Sequence, residues 1–307
     1  MAYTKPNELK ARLPGVNVIM VTPFDENQEV DIGKVRELTN YLIDSGIKEG
    51  SGVLIANGSM GECFAMNLEE RKRVSKTVIE EAHRRVPVVV ACNETSLGNV
   101  IDLCQSAQDA GADGVMVMPP YYLPPIEEEI LEFYEGLSQN IDIGIVIYNA
   151  PMVTVDISLK VLQRLADMEK MVGLKDVTYD CIKFQLTAQQ LKGRLAPLNG
   201  VGEILEPFGT IAGTEGFFSL AGNFAPELSL DLWSACENGD YEKAVILSRK
   251  FTPFFMFQRD FNKLIQATKK IMRDLGLPGG YVRSPLAPLT EEEEHQVEKI
   301  KHQMGLE

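Results

Sequence analysis

The chain has 307 residues, with 30 lysines and arginines against 44 acids and a net charge of −14. Hydrophobic residues at 45% and charged ones at 24% are ordinary globular usage, which excludes a disordered chain. The acidity argues against nucleic acid or an anionic membrane as partner, since both demand dense basic surface.

The N-terminal MAYTKPNELKARLPG has no apolar h-region, so no secretory signal is expected. Val16 to Val21 is the first strand-like run, followed by a helical pattern over Asp31 to Ser45 that opens on Asp31 as N-cap. Gly52 to Ala56 is the second run. The helical pattern after it, Asn67 to Val86, begins Asn67-Leu68-Glu69-Glu70, an N-cap with an acid three residues on. Pro87 to Cys92 leads to a helix over Leu97 to Ala110, which Gly111 should stop. Further runs follow at Gly114 to Met118, Ile143 to Tyr148, Met171 to Lys175, Leu195 to Leu198 and Gly216 to Leu220. From about Asp240 onward the chain reads as almost entirely helical.

Continuous apolar strands alternating with helices imply a parallel sheet covered on its faces. Eight of them is the number that closes a (β/α)8 barrel. A doubly wound sheet would want a glycine-rich phosphate turn after the first strand, and Val21-Thr22-Pro23-Phe24-Asp25 is not one. The expected class is therefore α/β, a barrel over residues 1–232 with extra C-terminal helices over 233–307.

Cysteines at 63, 92, 104, 181 and 236 are odd in number and form no CxxC pair, which predicts reduced thiols in a cytoplasmic protein. No segment reaches the roughly 18 apolar residues of a membrane span. His295 and His302 lie seven residues apart, about 10 Å along a helix, too far to share an ion. No metal and no organic cofactor are expected.

Barrel enzymes work at the C-terminal ends of their strands. One strand closes on Gly173-Leu174-Lys175-Asp176. A lysine there, desolvated over the barrel, has a lowered pKa and attacks a carbonyl carbon as the free amine; the alternative is a lysine that snorkels to solvent. The neighbouring end, Tyr148-Asn149-Ala150-Pro151, offers a phenol able to donate and accept the protons of imine chemistry, unless its ring simply packs. Asn57-Gly58-Ser59-Met60-Gly61-Glu62 could turn backbone amides toward an anion, or be a plain tight turn. Pro119-Pro120-Tyr121-Tyr122 projects two aromatics, and Asn199-Gly200-Val201-Gly202-Glu203 leaves room for substrate.

In this order, these motifs resemble the dihydrodipicolinate synthase and N-acetylneuraminate lyase superfamily of Schiff-base aldolases, along nearly the whole chain. Val21-Thr22-Pro23-Phe24 and Val282-Arg283-Ser284-Pro285-Leu286 fit as well. The resemblance implies a homotetramer, a dimer of dimers, acting on a 2-oxo acid such as pyruvate through an imine on Lys175. It makes Tyr148 the proton shuttle and Tyr122 the tyrosine lent across a subunit interface. Gly58, Ser59, Met60, Gly200 and Phe218 would line the substrate site, with the Ser59 hydroxyl and the Ser59 and Met60 amides on the oxo acid's carboxylate.

The chain departs from that pattern at Met60, where a second hydroxyl residue is usual, and at Met152-Val153-Thr154, which lacks the arginine of dihydrodipicolinate synthases. Losing a charge-assisted hydrogen bond there costs about 1.5–3 kcal/mol. Gly200-Val201-Gly202-Glu203 likewise keeps only a glutamate, out of step with the sialic acid lyases. Met60, Val153 and Val201 together predict an aldolase or hydratase-aldolase releasing pyruvate and an uncharged, fairly apolar aldehyde. Dihydrodipicolinate synthase itself and a non-catalytic oxo-acid binder on the same fold are the alternatives.

Overall fold

A computed structural model describes residues 4–306. Eight parallel strands close in chain order into one barrel: β1 Gly15–Ile19, β2 Gly52–Ala56, β3 Val88–Ala91, β4 Gly114–Val117, β5 Gly144–Asn149, β6 Met171–Asp176, β7 Ala196–Asn199 and β8 Gly216–Ser219. Every strand residue is buried. The barrel interior takes one face of each strand and the helices cover the other, which is why the strands read as unbroken apolar runs.

The helices obey their caps. Asp31 accepts from the Lys34 amide at the head of Ile32–Asp44, and Asn67 forms a capping box with Glu70 at the head of Leu68–Ala82. That second helix ends four residues short of Val86, because His83 and Arg84 turn left-handed. Gly111 closes Leu97–Ala110 at φ 96°. An unexpected helix, Pro6–Arg12, plugs the N-terminal end of the barrel with Leu9 and Leu13, both fully buried. A Cβ on Gly114 would lie 2.2 Å from Leu9, and one on Gly173 2.8 Å from Leu13.

The helix after β8, Pro226–Glu237, runs across position 232. Beyond it stand Tyr241–Lys250, Thr252–Phe261, Leu264–Asp274 and Glu291–Gln303. The expectation of an almost wholly helical tail needs one correction, since residues 275–290 form an irregular strap. Gly276, Gly279, Gly280 and the three prolines Pro278, Pro285 and Pro288 favour turns over helix. The strap crosses the β1 end, where the Tyr281 amide donates to the Phe24 carbonyl at 2.8 Å. Gly280 makes that crossing possible: φ is +63°, and a Cβ would sit 2.7 Å from Phe24 backbone atoms.

Two carboxyl groups are sealed behind β7 and β8. Glu203 accepts from the hydroxyls of Ser219 and Ser229 and the amide of Ala221. Glu206 accepts from Asn199 Nδ2 at 2.9 Å and from the Thr210 hydroxyl at 3.0 Å. Burial pushes Glu206 from 4.5 up to about 8, against the pull of those two donors. The folded protein thus keeps a proton that the unfolded chain loses between those values, and stability falls as pH rises through that window. Glu206→Gln keeps an acceptor for Asn199 Nδ2, can donate to the Thr210 hydroxyl oxygen in place of accepting from it, and removes the titration. Its advantage over wild type should grow between about pH 5 and 8.5, by about 1.4 kcal/mol per unit at most. Thermal unfolding of both proteins across that range checks it; a constant difference would refute the assignment.

Candidate active site

β5 and β6 pair with one irregularity. Ile145 faces Met171 but Val146 faces Gly173, so Val172 is an extra residue in β6. A bulge of this kind shifts every later side chain by one position relative to its neighbour. Without it Asn149 would oppose Lys175; with it, Tyr148 opposes Lys175 and Asn149 opposes Asp176. The lysine and the phenol therefore share one face at the barrel mouth.

Lys175 Nζ stands 4.0 Å from the centroid of the Tyr148 ring and 4.7 Å from that of Phe218. Lys175 is 4% exposed and Tyr148 6%, so neither snorkels. Burial lowers the lysine from 10.5 to about 7, and the partial offset comes from the side of Cys63. Two aromatic faces stabilise an ammonium by cation–π attraction but do not replace water, and desolvation prevails. The phenol moves the opposite way, pushed up to about 12 by burial against a hydrogen bond with Ser59. Near neutral pH the site pairs an amine of which about half is free with a phenol that retains its proton.

Buried polar groups hold these strand ends together. Asn149 Nδ2 donates to Asp176 Oδ1 at 2.9 Å and to Asp156 at 3.0 Å, while its carbonyl accepts from the Ile157 amide. The Gly200 amide donates to the Asp176 carbonyl at 2.7 Å. A Cβ at Gly200 would meet that carbonyl oxygen at 2.8 Å and Val177 at 2.5 Å. Gly200 thus acts by close approach to β6.

After β2 the chain makes two consecutive 3-10 turns, Ser59–Gly61 and Cys63–Ala65, the first preceded by Asn57 at φ 58° and the two joined by Glu62 at φ 53°. The Ser59 and Met60 amides open the first turn and have no acceptor within it, so they are free to meet an anion. Gly58 packs on β1, where a Cβ would lie 2.4 Å from Ile19. The Ser59 side chain lies close enough to Tyr148 to pull the phenol's pKa down, which joins the turn to the lysine and phenol.

Not every expected residue converges. The Met60 side chain is 4% exposed and belongs to the same buried apolar cluster as Tyr148, Met118 and Phe218. Tyr122 is 84% exposed in the loop after β4. Cys63, to which the sequence assigns no role, lies near Lys175 and Tyr148, and burial pushes its thiol up. Glu62 and Lys269 form a fully buried ion pair under the turn. Glu62 stood inside a quoted motif, but nothing in the sequence marks Lys269. Among the described residues no group of three or more His, Cys, Asp and Glu side chains could hold a metal, and no helix is long and apolar enough to cross a membrane.

The profile of the dihydrodipicolinate synthetase family matches residues 12–304. The chain is 30% identical over 302 residues to the 4-hydroxy-tetrahydrodipicolinate synthase of Bartonella quintana (strain Toulouse), covering 96% of this chain and 99% of that one. It superposes on the crystal structure of dihydrodipicolinate synthase from Oceanobacillus iheyensis with a TM-score of 0.91 and 28% identity, over 98% and 99% of the two chains. A prophage protein of the dihydrodipicolinic acid synthase family from E. coli K12, solved in complex with pyruvate, gives 0.89 and 27%, over 95% and 99%.

These likenesses overturn the expected release of an apolar aldehyde, because the full-length relatives are named as synthases of 4-hydroxy-tetrahydrodipicolinate. The physical reason lies in where the three apolar residues went. Met60 belongs to the core. Val153 is 44% exposed in the turn that follows β5. Val201 is half-buried after β7, so the three residues differ in burial and do not make one enclosed apolar wall.

Proposed function

The chain belongs to the dihydrodipicolinate synthetase family, and from that membership we propose that it condenses pyruvate with aspartate semialdehyde through an imine on Lys175. It is a Schiff-base, class I lyase. The observation that carries the proposal is the seat of Lys175 Nζ, 4.0 Å over the Tyr148 ring at paired strand ends. The full-length likeness to named synthases supports this second substrate over others.

In this reading the free amine of Lys175 attacks C2 of pyruvate. The pyruvate carboxylate rests on the Ser59 hydroxyl and the Ser59 and Met60 amides, with Gly58, Gly200 and Phe218 shaping the mouth. Tyr148, a phenol that keeps its proton, supplies it to the carbinolamine oxygen as water departs. Loss of a C3 proton from the imine gives an enamine, whose C3 forms the new carbon–carbon bond to the aldehyde carbon. The aldehyde oxygen takes a proton and becomes a hydroxyl. Attack by the aldehyde's own amine on the imine carbon then frees the lysine. No guanidinium stands at 152–154, so the aldehyde's carboxylate depends on other donors.

The assembly belongs to the same reading. Thr154 Oγ1 donates to the Pro120 carbonyl at 2.7 Å, bringing the 152–154 turn against the loop after β4. Tyr122, Leu123, Met152 and Val153 are all exposed there, an apolar surface suited to a second copy of the chain. A homotetramer in which Tyr122 enters a neighbour's mouth would cover them; a monomer in sedimentation would contradict it.

Mixing purified protein, pyruvate and aspartate semialdehyde should consume both at equal rates. A protein that forms a pyruvate adduct yet leaves the semialdehyde untouched would overturn the choice of second substrate.

A further inference from the structure

We propose that Lys269, in the helix Leu264–Asp274 outside the barrel, is a positioning residue for the carboxylate-binding turn Ser59–Gly61. The inference rests on the oxo-acid reading of that turn given above. Lys269 Nζ donates to the Glu62 carboxylate at 2.5 Å and to the Thr22 and Tyr281 carbonyls, each at 2.6 Å. Its three protons therefore join three segments that meet nowhere else in sequence: the end of β1, the residue after the turn, and the strap 275–290.

Glu62 completes the latch from the other side. Its second oxygen accepts from the Arg283 amide at 2.8 Å. The Arg283 side chain pairs with Glu70 at 2.8 Å and donates to the carbonyls of Gln28 and Ala65. Phe24 lies between the two cations, with Lys269 Nζ 4.6 Å and the Arg283 guanidinium 4.4 Å from its ring centroid.

Lys269 and Glu62 are both 0% exposed, and burying such a pair is a poor route to stability. What the pair supplies is geometry. Glu62 holds a left-handed backbone, φ 53° and ψ 39°, and its amide closes the turn onto the Ser59 carbonyl at 3.0 Å. A non-glycine residue in that conformation persists only when its surroundings hold it. Lys269 and Arg283 hold it through the side chain. Released, Glu62 would relax and rotate the Ser59 and Met60 amides away from a bound carboxylate. The latch touches neither Lys175 nor Tyr148, so it should govern oxo-acid affinity and leave imine chemistry intact.

The test measures borohydride trapping of pyruvate on Lys175 as a function of pyruvate concentration, in wild type, Lys269→Met and Glu62→Gln, with thermal unfolding alongside. We expect the half-saturating pyruvate concentration to rise about tenfold or more in Lys269→Met and less in Glu62→Gln. The trapping rate at saturation should stay within about threefold. Should Lys269→Met not fold, Glu62→Gln decides, since it keeps the side-chain shape. A folded variant with unchanged half-saturation, or one whose saturated rate falls while half-saturation holds, overturns the positioning role. Failure of wild type to trap at all would instead overturn the oxo-acid reading beneath it.

Discussion

Lys175→Ala is expected to lower condensation by roughly 10^4- to 10^6-fold, the range lost when a nucleophile that acts as a unit with its proton donor is removed. Among the described residues Lys175 is the one lysine that lies in a barrel strand. Lys269 is committed to Glu62 and two carbonyls, and Lys183 bonds Asp156 and the Ile157 carbonyl. Because Lys175 reacts as the free amine and titrates at about 7, kcat/KM should climb with pH up to about that value and level above it. The same burial predicts a stability effect of opposite character. Between about 7 and the ordinary 10.5, the folded protein binds fewer protons than the unfolded chain, so stability rises with pH there and the full penalty applies below 7. Lys175→Met should accordingly unfold at a higher temperature than wild type at about pH 6, the inactive protein being the more stable. Equal unfolding temperatures would mean that the ammonium is well solvated.

Tyr148→Phe is expected to reduce turnover by about 10^2- to 10^4-fold, the usual worth of a positioned acid or base. The ring stays, so the 4.0 Å contact with Lys175 Nζ persists and the lysine keeps its lowered pKa. The loss should fall on kcat, with pyruvate affinity little changed, because the carboxylate is held by Ser59 and the two amides. Adduct formation should slow without ceasing, since water can carry the proton less efficiently. A variant losing affinity alone would mean that the Tyr148 hydroxyl binds substrate and moves no proton.

Much of this was legible in the sequence, for reasons that differ by element. Parallel strands buried on both faces announce themselves as unbroken Val and Ile runs, and all eight were located. Caps such as Asp31 and Asn67 are local chemistry and could be read directly. Lys175 stood out because a lysine closing an apolar run has few uses. The Val172 bulge could not be read, because one extra valine leaves an apolar run looking the same while moving Lys175 from Asn149 to Tyr148. The burial of the Met60 side chain could not be read, because side-chain direction within a 3-10 turn follows from backbone angles that no pattern discloses. The strap 275–290 was hidden by helices on both sides. The Lys269–Glu62 pair spans 207 residues, and no local signal connects residues so far apart. The second-substrate expectation failed on the same ground: it assumed directions for Met60 and Val153 that only the fold decides.

The central claim, that catalysis runs through an imine on Lys175, is met most directly by mapping the adduct. Wild-type protein treated with pyruvate and borohydride, then digested and analysed by mass spectrometry, should carry a reduced pyruvyl group on the peptide containing Lys175 and on no other. An unmodified Lys175 peptide, or the group found on a different lysine, would contradict it.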